Sequence, residues 1–296
     1  MLSNKKEDKV MAKVNSEYPK SNKPMTDDQL KKIATANYQT KAATETQTHE
    51  FPTEIVELPS KGKFYPEGHP LASGTIEMKY MTAKEEDILT NQSYIKKGVV
   101  LDKLFKALIV TPCDYNDLLL GDKNAVLIAA RVLGYGKDYE ITVTTPSGNE
   151  ESLTIDLTKL VEKEIDWDAS EKEDAFVYQL PVSKRTIKIQ LLTQRLQNKI
   201  DAELKGLAKL KKPSAELTTR YKHSIIEVDG DTDNVKIRKF IDNELLAIDS
   251  RALRKFMNSV TPDIDLTIEA VDGETDDNFR TQLNIGLDFF WPDSEI

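Results

Sequence analysis

The spacing of apolar residues changes several times along the chain, and each change marks an element. From Gly74 to Tyr80 apolar and polar residues alternate, with Ile76 and Met78 on one face, which predicts a strand. Thr82 followed by Glu85 has the spacing of a capping box, so a helix is expected from there to about Gln92. A second helix is expected after Gly98, where Leu101, Leu104, Phe105, Leu108 and Ile109 share a face and Pro112 ends the run. Asp122 is expected to cap a third helix carrying Val126, Leu127, Ala130 and Leu133, with Gly134 as its left-handed stop.

Alternation returns at Tyr139, Ile141 and Val143. It turns through Pro146 to Asn149 and resumes at Leu153, Ile155 and Leu157, the pattern of a β-hairpin. Phe176, Tyr178 and Leu180 pair in the same way with Ile187, Ile189 and Leu191. Helical spacing then runs through Leu196, Ile200, Leu204 and Leu207 and stops before Pro213. A return helix from Ser214 places Leu217, Tyr221 and Ile225 on its inner face. Shorter helices are expected around Ile237 to Ile241 and around Leu253 to Met257, the latter started by Asp249 or Ser250, and Pro262 closes the block. Strand spacing resumes at Leu266, Ile268 and Ala270, turns through Asp272 to Asp277, and ends in Leu283, Ile285, Leu287 and Phe289.

This order predicts an α+β fold of antiparallel hairpins with an N-terminal helical layer and a helical insertion. Residues 51–191 form the body, 192–262 the insertion, and 263–296 a closing β segment that pairs with the Tyr139 to Leu157 hairpin or its neighbours. Residues 1–50 are poor in large apolar groups and rich in Lys, Thr, Ser, Asn and Gln, so they read as a disordered tail. One short helix over Asp27 to Ala36 is conceivable there, with only Leu30 and Ile33 as large apolar residues.

One stretch fits neither period: Leu58-Pro59-Ser60-Lys61-Gly62-Lys63-Phe64-Tyr65-Pro66. Its prolines fix the backbone and lack donors, Gly62 permits positive φ, and Leu58, Phe64 and Tyr65 are too bulky to leave in water without cause. A rigid extended loop pinned by its apolar side chains is expected. Such a loop serves either as a packed entry to the body or as an interaction surface.

Charge narrows the function classes. The net charge is −9, yet residues 1–50 carry nine Lys against seven Asp or Glu, so everything after Glu50 stands at −11. An acidic body repels phosphate backbones, which argues against nucleic-acid binding. No apolar run approaches the roughly 18 residues of a membrane span, and Lys5, Lys6 and Lys9 are not followed by the apolar stretch of a secretory signal. The protein is therefore expected to stay in the compartment where it is made. A single cysteine, Cys113, rules out an internal disulfide and a multi-cysteine zinc site.

The candidate chemical motifs are incomplete. Asp229-Gly230-Asp231-Thr232-Asp233 begins like a calcium loop, but the sixth position is Asn234 instead of Gly and the twelfth is Phe240 instead of Glu. Gly134-Tyr135-Gly136 lacks the third glycine of a dinucleotide loop and follows a helix where a strand is required. Cys113 has no neighbouring His, and His223 and Ser224 are helix neighbours that point about 100° apart. No catalytic residue, cofactor or metal is assigned. Paired carboxylates leave no spacing signature, so a carboxylate hydrolase stays as a lesser alternative, beside an unrelated cytoplasmic adaptor.

Several segments in order carry a resemblance. They are Leu58 to Tyr65, then Met81-Thr82-Ala83-Lys84-Glu85-Glu86, then Arg131 before Gly134-Tyr135-Gly136 and Tyr139, and finally Phe289-Phe290-Trp291-Pro292. Across about residues 51–292 the chain resembles the baseplate hub and hub-assembly proteins of large contractile-tailed bacteriophages. The resemblance implies a non-enzymatic tail protein, either a lasting hub subunit or an assembly factor. Its partners would be other hub or tail proteins, met in the host cytoplasm during assembly or in the virion baseplate. Relatives of this kind can carry Cys pairs at hairpin turns resembling zinc ribbons. The corresponding turns here, Thr145 to Gly148 and Val271 to Gly273, contain no cysteine, so packing must hold them.

Within that reading, Leu58, Pro59, Gly62, Phe64, Phe289, Phe290 and Pro292 are expected to be structural, and Lys61, Lys63, Tyr65 and Trp291 to face a partner. Lysine is not buried unpaired, whereas Trp is favoured at interfaces.

Overall fold

The structure, a computed structural model, describes residues 52–165, 167 and 175–290. The expectations for the tail at 1–50 and for Trp291 and Pro292 lie outside these residues.

Strand β1 (Thr53–Glu57) pairs antiparallel with β2 (Thr75–Lys79), Val56 opposite Ile76, and the loop that fits neither period connects them. Helices α1 (Ala83–Leu89), α2 (Gln92–Lys97), α3 (Val100–Leu108) and α4 (Leu120–Tyr135) follow, then the hairpin β3 (Asp138–Thr144) and β4 (Glu150–Asp156). A three-stranded sheet is built from β5 (Ala175–Gln179), β6 (Thr186–Gln190) and β7 (Ile225–Val228), with α5 (Gln194–Lys209) and α6 (Glu216–Ser224) between its second and third strands. Helices α7 (Asn234–Asn243) and α8 (Ala247–Val260) and the hairpin β8 (Thr267–Val271) and β9 (Asn278–Gln282) complete the order. The fold is α+β, with small antiparallel sheets and a layer of helices early in the chain.

Local chemistry sets most boundaries. Thr82 donates its hydroxyl to Glu85 at 2.6 Å, and its backbone N–H reaches the same carboxylate at 3.1 Å, so α1 starts on the expected box. Asn91 caps α2 by accepting from Ser93 N–H at 3.0 Å and Tyr94 N–H at 3.2 Å, so the helix expected to reach about Gln92 ends at Leu89 and a further, unexpected helix occupies Gln92–Lys97 before Gly98. On α3 the buried residues Val100, Leu104, Phe105 and Leu108 form one stripe.

Five expectations need correction. Leu119 is the N-cap of α4 and Leu246 that of α8; Asp122 and Asp249 stand inside the first turn and hold distant loops. Gly134 lies within α4 against Met81, and the positive-φ residue at the helix end is Gly136. The return helix stops at Ser224, so Ile225 begins β7 and the segment expected to be a helical insertion contributes a strand to the sheet. Strand β9 covers 278–282, earlier than the Leu283 to Phe289 alternation, and Phe289 sits in a single 3-10 turn. Among the described residues β8 and β9 pair with each other and not with the β3–β4 hairpin, and a cleft of about 440 Å³, lined by Tyr139–Thr144 and Thr281–Asn284, lies where pairing with β3 was expected. Only the start of the closing segment meets the hairpin's neighbour, through a Glu162–Ile264 bridge with Lys163 N–H to Asp263 C=O and Asp265 N–H to Val161 C=O, both at 2.8 Å.

Two apolar cores organise the body. The first joins Leu58 and Tyr65 of the loop to α1, α3, α4, the β3–β4 hairpin and Phe289 with Phe290. The second lies between the β5–β6–β7 sheet and α6, α7 and α8, around Phe176, Ile187, Tyr221 and Phe240. Phe64 and Leu191 pack against both. A fully buried Phe contributes about 1.5–3 kcal/mol; Phe64 is partly buried and supplies a fraction of that, divided between the two cores it touches.

Candidate functional site

The loop, expected to be extended, is instead a chain of tight turns, because its own backbone donors close on carbonyls three residues back. Lys61 N–H donates to Leu58 C=O at 2.8 Å, Lys63 to Ser60 at 3.1 Å and Tyr65 to Gly62 at 3.3 Å. Gly62 has φ of +75°, and a Cβ there would stand 2.4 Å from the Ala72 carbonyl oxygen, so glycine is required both by conformation and by close approach. Lys61 adopts φ of +52°, an uncommon conformation for a residue with a side chain, held by the bonds on either side of it.

Beneath these turns lies Asp122, fully buried at the start of α4. It accepts the Ser60 N–H at 2.9 Å, the Ser60 hydroxyl at 2.7 Å and the Tyr65 hydroxyl at 2.7 Å. The Tyr65 oxygen in turn accepts the Leu119 N–H at 3.0 Å, which satisfies one of the free donors at the helix end. Burial lifts the Asp122 carboxyl above its ordinary range, while its three donors pull the other way. Burial and the neighbouring Asp122 charge likewise push the Tyr65 hydroxyl far above its usual value, so it stays a donor. Every polar atom of this cluster is committed inward. It is a latch between the loop and the helix.

The residues expected to face a partner divide. Lys61 is exposed and bonds Glu162, with Glu57 at 3.5 Å, and the Glu162 bond chiefly raises its pKa. Lys63 is exposed and lies over the Trp167 ring, 4.2 Å from its centroid. Tyr65 is corrected: only 7% exposed, stacked on His69 at 5.3 Å, it belongs to the latch because the Asp122 acceptor is below it. Phe64 stacks on Trp167 at 6.1 Å and tilts against Phe176 at 5.3 Å. Leu58 and Pro59 are buried.

The segments that carried the resemblance meet in space. Arg131 is 1% exposed, donates to the Gly136 carbonyl at 3.3 Å, and lies over Tyr135 at 5.0 Å and Tyr139 at 5.5 Å. Burial lowers its pKa. Tyr139 meets Phe289 edge-on at 4.8 Å, and Phe289 meets Phe290 at 6.0 Å. One helix, α4, therefore holds the loop at its start and the closing aromatics at its end. Sequence reasoning missed Asp122 and Trp167 as partners of the loop, because each lies too far along the chain to be paired by spacing, and it missed Ser60 as the loop residue that meets Asp122, because a serine is too ordinary to single out.

At the two turns where relatives can carry Cys pairs, hydrogen bonds make the junction. Asp272, fully buried, accepts Ser147 N–H at 2.9 Å and the Ser147 hydroxyl at 3.1 Å, while Asn149 donates to Glu274 at 2.7 Å and Gly273 N–H to Glu151 at 2.9 Å. Burial opposes the Asp272 charge, but these donors and the Glu274 N–H leave its pKa lowered. In the calcium-like loop the carboxylates turn to separate partners: Asp229 to Arg185 at 2.7 Å, Asp231 to Lys236 at 2.5 Å, and Asp233 to Val235 N–H at 2.8 Å. Among the described residues no group of three or more His, Cys, Asp or Glu is placed to hold a metal ion.

A loop latched from within, two cores touched by one ring, and the buried carboxylates of Asp122, Asp249 and Asp272 hydrogen-bonded to turns describe this body. Residues 51–291 match the family model described as T4 bacteriophage base plate protein. The chain belongs to this family of bacteriophage baseplate proteins, with a structural role in the phage tail. No curated protein and no solved structure matches it. No described helix is long and apolar enough to cross a membrane.

Proposed function

We propose that the protein serves the central hub of the baseplate, as a hub subunit or hub-assembly factor, and acts through protein–protein contacts without catalysing a reaction. The observation that carries this reading is the family match, which spans the whole described body and includes the latched loop. The inward commitment of Ser60, Tyr65 and Asp122 supports the non-catalytic part, since none of them is left to meet a substrate. Its partners are other hub or tail proteins, met in the host cytoplasm during assembly. Lys61 and Lys63 stand at the edge of the contact surface, with Trp291 as its aromatic anchor, and nucleic acid is not a partner.

Co-expression with the hub proteins of the same phage tests this reading. Co-purification of a defined complex is expected, and Lys61→Ala and Trp291→Ala should weaken it while leaving the melting temperature unchanged. Loss of stability with intact assembly would overturn the interface assignment. Mass spectrometry of purified virions separates the two roles, because a lasting subunit is retained and an assembly factor is not.

A further inference from the structure

Among the described residues strand β1 has one partner, β2, and no strand pairs with its other edge. Leu58 N–H bonds Gly74 C=O and Tyr80 N–H bonds Pro52 C=O, so the even-numbered residues of β1 face β2. By the same alternation the backbone groups of Thr53, Ile55 and Glu57 point outward. Along this side runs a groove of about 240 Å³ with no β2 residue in its lining. Its floor is α4, through Ile128, Ala129 and Val132, and its far wall includes Leu160 and Ile264. Lys61 closes one end by bridging Glu57 to Glu162. Glu54 lines the groove, is exposed, and has no ion pair among the described residues.

We propose that this groove takes an extended segment of a partner polypeptide, added as a strand to the outer edge of β1, with small apolar side chains on α4 and a Lys or Arg opposite Glu54. Three features select that occupant. The row of outward backbone groups calls for a strand, the alternate apolar floor calls for side chains at every second position, and the carboxylate calls for a cation. A second copy of this chain fits poorly, because it would bring the same acidic edge to an acidic body. The inference rests on the reading of the protein as one that works through protein contacts, but its test uses purified protein and synthetic peptide, and so fails or succeeds apart from hub assembly.

The probe is a capped peptide of alternating Val and Thr in which the Val that falls opposite Glu54 is replaced by Lys, so that cation and apolar side chains share the face toward α4; it is compared with the same peptide carrying Glu for Lys and with one interrupted by Pro. Hydrogen exchange at Ile55 and Glu57 is followed in the intact protein. The Lys peptide is expected to slow exchange at both amides about tenfold or more, and the other two to leave it unchanged. Ile55→Pro removes an outward donor without touching the β2 ladder, and Ala129→Arg fills the floor; each should abolish protection with the melting temperature retained. Glu54→Lys should transfer protection to the Glu peptide, a reversal that damaged folding would not produce. Equal protection by Lys and Glu peptides, or none, would overturn the proposal. So would protection that rises with protein concentration alone, since that would make the occupant a second copy.

Discussion

Asp122→Ala removes the acceptor on which the loop closes. Three hydrogen bonds end on this fully buried carboxylate, two from Ser60 and one from Tyr65. Truncation leaves those donors buried without partners, and Leu58 and Tyr65 lose the frame that keeps them in the first core. Removing one member of a buried, hydrogen-bonded charge network costs about 3–5 kcal/mol. Tyr65→Phe removes one of the three bonds and leaves the Leu119 N–H without its acceptor, for about 1–3 kcal/mol. Because both changes break the same bond, the double variant should cost at least about 1 kcal/mol less than the sum. Urea unfolding of the intact protein, followed by circular dichroism and by tryptophan fluorescence, measures all three. Trp167 stacks on Phe64 and so reports on the loop itself. An Asp122→Ala cost below about 1 kcal/mol, or strict additivity, would refute the latch.

Three further outcomes follow from other contacts. Gly121→Ala should destabilise by about 3 kcal/mol in the same assay, since a Cβ there would meet the Pro262 carbonyl oxygen at 1.9 Å and backbone must move; a neutral effect would contradict this packing. Phe289→Ala should cost about 3–5 kcal/mol, because the ring is 1% exposed between Tyr139 and Phe290. Asp249 supplies a pH test. Burial opposes its charge, but the Val182 and Ser183 N–H groups at 2.8 and 3.0 Å leave its folded pKa below the unfolded value of about 3.9. Its stabilisation is then complete above that value and lost as pH falls through the folded pKa, so from about pH 5 to about pH 3 wild type should lose melting temperature more steeply than Asp249→Asn, and parallel slopes would refute the assignment.

How far the sequence could be read depended on the range of the interaction. The stripe on α3 and the alternation in β3, β4, β5 and β6 are local, and periodicity located them. The capping box at Thr82 is a four-residue device and formed as expected. Asp122 and Asp249 show where local reading fails. Each stands at a helix start, where Asp commonly caps, yet each spends its carboxylate on backbone donors more than sixty residues away. Nothing in spacing distinguishes those uses. Ile225 continued a helical pattern, but pairing with β6 gained it a place in a sheet, so tertiary partners overrode the period. The loop was legible as rigid and apolar; that its tyrosine faced inward was not, because the deciding acceptor lay on α4. At the two turns without cysteine, packing was expected to hold the hairpins; the contact between the turns is the hydrogen bonding of Ser147 to buried Asp272, which no sequence pattern showed.

The hub assignment is tested most directly in the phage. With the gene for this protein deleted, electron microscopy of infected cells should show baseplate precursors lacking a completed central hub and no contractile tails, and supplying the wild-type chain should restore them. Complete tails of normal composition in the deletion would contradict the account.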